Sequence, residues 1–523
     1  MKHQLLLVLI FLGATLNALN VIGQNPILII PKPRMAEQSR GVFTLNPKTS
    51  LFAPDGLLKK AKQLKGYFEP ALGYDLSISS KRANKDLIEF KLDNTLKRLG
   101  EEGYQLKITP EKVSLTAFTE KGIFWGIQTI RQLLPNQINR SATVKGVAWE
   151  IPCVSIEDNP RFKWRGLMLD CSRTFIPKEQ VKKYLEAMSY FKMNVLHMHL
   201  TDDQGWRLEI KKYPELTSIC SKFHESFREP KENEGFYSQD DIRELVEFAA
   251  QRNIEIVPEI EMPGHTTEVF AAFPQLSCTG DTLKIHPWTK GAGVHNEVFC
   301  AGNEKTFEFL ENVLKEVAEL FPSAYIHIGG DEAPKMYWKA CPKCQARIKD
   351  NGLKDENELQ SWFVKRIEKY VNSKGKKLIG WDEIMDGGLS SSATVMYWRA
   401  WDKSVVQKIP LIENDIVMTP TSHCYFDYTY EKISTERVYS YEPIPAGMSG
   451  DKTQKILGVQ ANFWSHLDRT APRMDQQLFP RIIALAEVAW TDPGKRDWID
   501  FKSRLEPKLT YLDITGINYF GKK

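Results

Sequence analysis

The chain has 523 residues, long enough for two or more domains around a large core. Hydrophobic residues make up 42% and charged residues 26%, which excludes a disordered or fibrous chain. A formal net charge of +4 without a clustered basic face excludes nucleic-acid binding.

At the start, Lys2 and His3 precede the apolar run Leu5–Leu12, and Val21-Ile22-Gly23 leads into Gln24. This pattern predicts a cleaved export signal over residues 1–23. The run is too short for a membrane anchor, and Thr15, Asn17 and Asn20 interrupt it. Export would place the protein in the periplasm or outside the cell. No later segment is apolar enough to span a bilayer.

Residues 24–155 read as a small α+β domain. Short strands are expected at Ile27–Ile30, Leu87–Leu92, Tyr104–Ile108 and Val113–Ala117, with helices near 56–68 and 122–134. In the second helix Ile123, Ile127, Ile130 and Leu134 recur at helical spacing. Nothing in this domain resembles a catalytic cluster.

Residues 156–523 change rhythm. Strands are expected at Arg165–Leu169, Val195–Leu200, Ile254–Ile260, Tyr325–Ile328, Lys377–Gly380, Thr394–Tyr397, Ile416–Met418 and Leu457–Ala461. Most are near-continuous apolar runs, as expected for strands buried on both faces. Helical patterns fall at 178–192, 239–252, 305–321 and 356–374, while 402–414 is a poor helix. Eight strands alternating with helices predict an α/β fold, a (β/α)8 TIM barrel preceded by the smaller domain.

In such a barrel the chemistry lies just past the strand ends. Asp170-Cys171-Ser172-Arg173 follows the first strand, and Thr201-Asp202-Asp203-Gln204-Gly205-Trp206 the second. Glu259-Ile260-Glu261-Met262-Pro263-Gly264-His265 ends the third, and Gly329-Gly330-Asp331-Glu332 the fourth. Trp381 and Trp398 close the fifth and sixth, Tyr425 and Asp427 follow the seventh, and Trp464 and His466 follow the eighth. Singly, each has an ordinary explanation: a core tryptophan, a structural ion pair, a helix cap. Converging on one barrel mouth, aromatic faces and carboxylates suit a neutral sugar, which offers C–H faces for stacking and a rim of hydroxyls. Two adjacent carboxyl groups cannot both ionise cheaply in a partly dry site, so one of Asp331 and Glu332 is expected to hold a proton. His197-Met198-His199 also puts two imidazoles on one strand face, a metal-ligand spacing, but the further histidines of a metal-dependent barrel hydrolase are sparse.

These motifs resemble family 20 glycoside hydrolases, the β-N-acetylhexosaminidases. The likeness rests on Arg165-Gly166, Asp170-Cys171-Ser172-Arg173, His199 to Trp206, Met262-Pro263-Gly264-His265, His327 to Glu332, Gly380-Trp381-Asp382, Tyr425-Phe426-Asp427 and Trp464-Ser465, in family order. The resemblance implies an exo-acting, retaining enzyme that removes terminal β-linked GlcNAc or GalNAc. Family 20 is a substrate-assisted exception to the usual carboxylate pair. Glu332 would be the general acid and base, kept protonated by the dry site beside Asp331. Asp331 would accept the acetamido N–H and steady an oxazolinium intermediate. Tyr425 would donate to the acetamido oxygen, and Trp381, Trp398 and Trp464 would wall its pocket. Arg173 and Asp427 would hold sugar hydroxyls. His265, oriented by a neighbouring acid, would tune Glu332, with Asp202 nearby. The resemblance calls for no cofactor and no metal. The expected partners are glycans bearing terminal β-N-acetylhexosamine.

Two positions depart from the family pattern. Glu261 stands where an aspartate usually precedes the histidine by four residues. His466 replaces the usual glutamate that holds outer hydroxyls, which points alternatively to a specialised or inactive relative with altered recognition at O4 or O6.

Eight cysteines are compatible with an exported, oxidised protein. Cys341-Pro342-Lys343-Cys344 fits a local disulfide, free thiols or a metal knuckle. With no second ligand pair adjacent, the disulfide is preferred, and Cys278 and Cys300, flanking a loop, suggest a second bridge.

Overall fold

The computed structural model describes residues 27–288 and 297–522. The expected export signal lies outside the described residues. The chain divides into two compact units: residues up to Asn159 together with Ile499–Thr515, and Pro160–Trp498 with the last few residues.

The first unit is built on a seven-stranded mixed sheet. Its order is Met35–Thr44, Glu150–Asp158, Tyr104–Ile108, Lys112–Ala117, Leu87–Leu92, Ser50–Phe52 and Ser77–Ser79. The helix Glu120–Leu133 starts at a Thr119 cap whose side chain accepts from the Lys121 N–H, and its buried face carries Ile123, Ile127 and Ile130. The expected strand Ile27–Ile30 does not form. Side chains take the place of strand partners there: Ile30 N–H donates to Gln132 Oε1 (2.9 Å), Gln132 Nε2 donates to Ile30 O (2.6 Å), and Arg504 Nη1 donates to Ile29 O (2.9 Å). Pro31 and Pro33 follow, and a proline has no N–H for a ladder. The strand Met35–Thr44, by contrast, has no apolar alternation to announce it, because nearly all its residues face solvent at the edge of the sheet.

The second unit is a closed barrel of eight parallel strands. They are β1 (Trp164–Asp170), β2 (Val195–His199), β3 (Glu255–Glu259), β4 (Tyr325–His327), β5 (Lys377–Trp381), β6 (Thr394–Tyr397), β7 (Ile416–Met418) and β8 (Ile456–Phe463). Every expected barrel strand forms. All seven residues of β1 and all five of β2 are buried, which is why these strands read as near-continuous apolar runs, interrupted only by Arg165 and Asp170 in β1 and by His197 and His199 in β2. The helices Lys178–Tyr190, Gln239–Ala250, Glu304–Leu320 and Glu356–Ser373 fill the first four connections. A Ser238–Asp241 capping box starts the second of these and Asp355 caps the fourth. Between β5 and β6 the glycine-containing segment makes only the 3-10 turn Asp382–Met385, and the weak 402–414 pattern yields the short helix Lys403–Lys408. Among the described residues no helix is long and apolar enough to cross a membrane.

Neither expected disulfide forms: all eight cysteines are free. Cys278 and Cys300 do not bridge each other but meet Cys341 and Cys344 in one group. Sequence spacing within a pair does not reveal that two distant loops converge.

Candidate active site

Barrel register assembles the floor of the site. Asp170 pairs in register with His199, and Glu259 with both His199 and His327. These residues therefore share one ring at the C-terminal ends of β1 to β4. Glu259 is its hub. Its carboxylate lies 3.0 Å from His197 Nε2, 2.5 Å from His199 Nδ1 and 2.7 Å from His327 Nδ1, and accepts from Trp381 Nε1 at 2.8 Å. All four ring systems are thus aimed by one fully buried acid. Burial opposes the charge, but His327, His199 and His197 together hold Glu259 well below the usual carboxylate range. The His197/His199 pair does share a face, as alternation demands, and both imidazoles turn to this carboxylate. The family pattern draws attention to Glu261, four residues before His265, and not to Glu259 two residues earlier in the same run.

A second layer sits above this ring. Arg173 Nη2 lies 2.6 Å from Asp202 Oδ2, and Arg173 Nε donates to Gln204 Oε1 at 2.9 Å. Asp170 ties the ends of β1 and β8 together, accepting from the backbone N–H of Ser172 (2.9 Å), Arg173 (3.0 Å) and Ser465 (3.0 Å). Asp202 also meets His199 Nε2 at 2.9 Å and His265 Nδ1 at 3.3 Å. Burial works against its charge, yet Arg173 and His265 keep Asp202 far below the usual range.

His265 is the link to the paired acids. Its Nε2 lies 3.6 Å from Asp331 Oδ2 and 3.4 Å from Glu332 Oε2. Although burial resists the proton, Asp202 and Asp331 raise His265 well above its ordinary value, so it is an imidazolium at neutral pH. The acid that orients it is Asp202, seconded by Asp203 at 3.6 Å, and not Glu261. Glu261 points elsewhere: an added Cβ at Gly329 would stand 1.5 Å from Glu261 Oε2, so this carboxyl occupies the space beside that glycine. Neither Glu261 oxygen has a hydrogen-bond partner among the described residues. Burial and the neighbouring Asp331 raise Glu261 well above the carboxylate range. Gly329 (φ 67°) and Gly330 (φ 93°) make the turn that presents the acids, and Glu332 itself is held at φ 44°.

Protonation of the pair departs from the sequence expectation. Burial raises Asp331 to about 6 despite the pull of His265, and the charge on Glu332 adds to the rise. The hydrogen bond from His265 lowers Glu332 instead. The reason is position: the Glu332 side chain is 59% exposed beside an imidazolium, while Asp331 is buried with Oδ1 lacking a hydrogen-bond partner among the described residues. In the free protein the shared proton therefore rests mainly on Asp331.

Aromatic rings wall the space next to Asp331. Trp381 and Trp464 have ring centroids 5.9 Å apart, Trp464 and Tyr425 6.4 Å, and Tyr425 stacks on Trp398 at 6.1 Å and 17°. Arg173 lies over Trp464 at 4.8 Å, and Trp398 Nε1 donates to Glu383 Oε2 at 2.8 Å. Asp427 is buried with Oδ1 also lacking a hydrogen-bond partner among the described residues, and burial raises it to about 7. His466 packs against Trp288 at 4.8 Å, and burial together with Arg173 lowers it, favouring the neutral imidazole. The structure thus gathers Arg173, Asp202, His265, Asp331, Glu332, Trp381, Trp398, Tyr425 and Trp464 through direct or shared contacts. It adds Glu383 and Trp288, which no sequence motif contained, and gives Glu259, present in the third strand-end run without a role, the central place.

Comparison with known proteins agrees with this arrangement. Residues 162–493 match the glycosyl hydrolase family 20 catalytic domain and residues 27–159 match family 20 domain 2. The chain is 42% identical over 508 residues to a β-hexosaminidase of Porphyromonas gingivalis, covering 94% of this chain and 64% of that relative, less than two-thirds of its length. The GH20 β-N-acetylhexosaminidase of Streptomyces coelicolor superposes with a TM-score of 0.84 at 29% identity, covering 95% of this chain and 98% of that one. A mutant β-hexosaminidase of Streptomyces plicatus in complex with product GlcNAc gives 0.83 at 28%, covering 96% and 98%. With a catalytic-domain match over well more than half of the sequence, the chain belongs to glycosyl hydrolase family 20.

Proposed function

We propose that this protein is an exo-acting, retaining β-N-acetylhexosaminidase that releases terminal β-linked GlcNAc or GalNAc by substrate-assisted catalysis. The observation that carries the reading is a buried Asp331, one of whose oxygens has no hydrogen-bond partner among the described residues, adjacent to an accessible Glu332 and joined to it by His265. An acetamido N–H entering the aromatic pocket would satisfy Asp331 and favour its ionised form. The leaving sugar would at the same time cover Glu332, remove its water and raise its pKa. Filling the site would thus pass the pair's proton from Asp331 to Glu332, where it protonates the glycosidic oxygen. The acetamido oxygen attacks C1 as the C1–O bond breaks, giving an oxazolinium ion whose charge Asp331 balances. Glu332, now a carboxylate, takes a proton from water, which opens the oxazolinium at C1 and restores the starting configuration and the protonated acid. The GlcNAc held by the Streptomyces plicatus relative supports this substrate class. The apolar N-terminal run supports export as the route to such glycans.

A panel of aryl β-hexosaminides varied at C2, C4 and C6 tests the reading. The 2-acetamido sugars should be cleaved, and the 2-hydroxy analogue should react at least about 10³-fold more slowly, since it lacks the internal nucleophile. Hydrolysis of the plain glucoside at a matching rate contradicts the proposal. At the outer rim, a neutral His466 lacks the strong acceptance of a carboxylate. Restoring it, His466→Glu, is expected to change the galacto/gluco ratio of kcat/KM by about 10-fold; identical profiles at C4 and C6 would remove any recognition role for His466.

A further inference from the structure

The cysteines that sequence spacing assigned to two disulfides form a different object. Cys278, Cys300, Cys341 and Cys344 bring their sulfurs within 4.8 Å of one another. Cys300 Sγ is 3.7 Å from both Cys341 Sγ and Cys344 Sγ, and Cys278 Sγ is 3.8 Å from Cys344 Sγ. A disulfide would need one pair at about 2.05 Å, and this arrangement singles out no pair. Four thiolates placed around Zn2+ at about 2.3 Å would instead have sulfur–sulfur edges of about 3.8 Å. Three of the six edges of that tetrahedron are matched, at 3.7, 3.7 and 3.8 Å, and the other three lie within 4.8 Å.

The local backbone is shaped for it. Cys341 and Cys344 open the helix Pro342–Asp350, Cys341 as its N-cap and Pro342 in the first turn. The second pair comes from the long loop after β3. An antiparallel bridge between Ser277 and Phe299 brings its two ends together, and Cys300 N–H donates to Leu276 O at 2.9 Å. Gly302 lets this turn lie directly on the 341–344 knuckle: an added Cβ there would stand 2.2 Å from the Lys343 carbonyl carbon and 2.5 Å from Cys344 N. Gly302 N–H also donates to the Cys300 sulfur, as second-layer donors do for metal thiolates. Trp338 Nε1 closes the same junction by donating to Phe299 O at 3.0 Å. Three of the four cysteines are buried and the fourth is half-buried, so a bound ion would be largely shielded from water.

We propose that these four cysteines form a structural Zn2+ site that staples the loop after β3 to the segment following Asp331-Glu332. Binding replaces four thiol protons by one Zn2+, leaving a closed tetrahedral site with no position for substrate. The loop it secures carries Trp288, which packs on His466 and lies 5.8 Å from the Arg173 guanidinium. The ion would therefore hold the outer rim without touching the reacting groups.

The test is metal analysis of the full-length protein purified without chelator. About one zinc per chain is expected, falling below about a tenth in Cys341→Ser and Cys278→Ser. Cobalt exchanged into the wild-type protein should show the intense sulfur-to-cobalt charge-transfer band and the visible absorption of a tetrahedral tetrathiolate, a readout that stands even if the serine variants fail to fold. Alkylation after unfolding in chelator should modify all eight cysteines. Fewer than eight, with the missing ones mapped by peptide mass to this quartet, would show disulfides and overturn the proposal. Eight free thiols with no zinc and no cobalt spectrum, even after equimolar metal is added, would overturn it equally.

Discussion

Glu332→Gln is expected to lower kcat on a disaccharide with an unactivated sugar leaving group by about 10²–10⁴-fold, the range for loss of a positioned general acid. The amide keeps the shape of the side chain but has no acidic proton to give. On an aryl glycoside with a good leaving group the loss should be smaller, because departure needs less protonation. Among the described residues Glu332 forms an ion pair only with His265, and its side chain is 59% exposed, so folding should survive the change. Affinity for a non-hydrolysable N-acetylhexosamine analogue should stay within a few-fold. A variant that turns over disaccharide at the wild-type rate would remove Glu332 from the reaction. Parallel loss of analogue binding would mark it as a positioning residue only.

Asp331→Asn should cost about 10²–10³-fold in kcat, the scale of losing one preorganised electrostatic partner of a charged intermediate. Its effect on pH dependence is more diagnostic. In the proposed mechanism the productive state needs one proton on the pair, delivered to Glu332. In the free protein that proton rests on Asp331, which burial raises to about 6, while Glu332 lies below its usual value. Above about pH 6 the pair loses its only proton, so wild-type kcat/KM, which reports the free enzyme, should fall as pH rises through this value. In the filled site the leaving sugar would cover Glu332, so kcat should persist to higher pH than kcat/KM. The amide introduced by Asp331→Asn neither holds that proton nor repels the charge on Glu332, and the falling limb should move to lower pH. An unshifted limb in the variant would detach Asp331 from the titration.

The barrel was legible because its strands are buried on both faces and read as apolar runs, from Arg165–Leu169 to Leu457–Ala461. The mouth was legible because strand ends are where the reactive side chains sit. What the sequence concealed depends on depth and on contacts between distant segments. The edge strand Met35–Thr44 faces solvent and has no pattern to show. The family pattern points to Glu261, yet it is Glu259 that pairs with three histidines, while Glu261 reaches only His199, at 3.8 Å. The order of protonation within Asp331-Glu332 reversed because exposure, a property of the fold, decides it. The cysteine quartet stayed hidden because its two halves come from separate loops.

The central claim is that the sugar's acetamido oxygen is the nucleophile. It is tested most directly by kcat/KM for aryl β-glycosides whose 2-acetamido group carries zero, one, two or three fluorines. Each fluorine weakens the carbonyl oxygen while leaving the pocket nearly the same size. Rates should fall steeply and monotonically along the series, with no side chain becoming esterified during turnover. Rates independent of fluorination, together with a trapped sugar ester on a carboxylate of the protein, would contradict the mechanism.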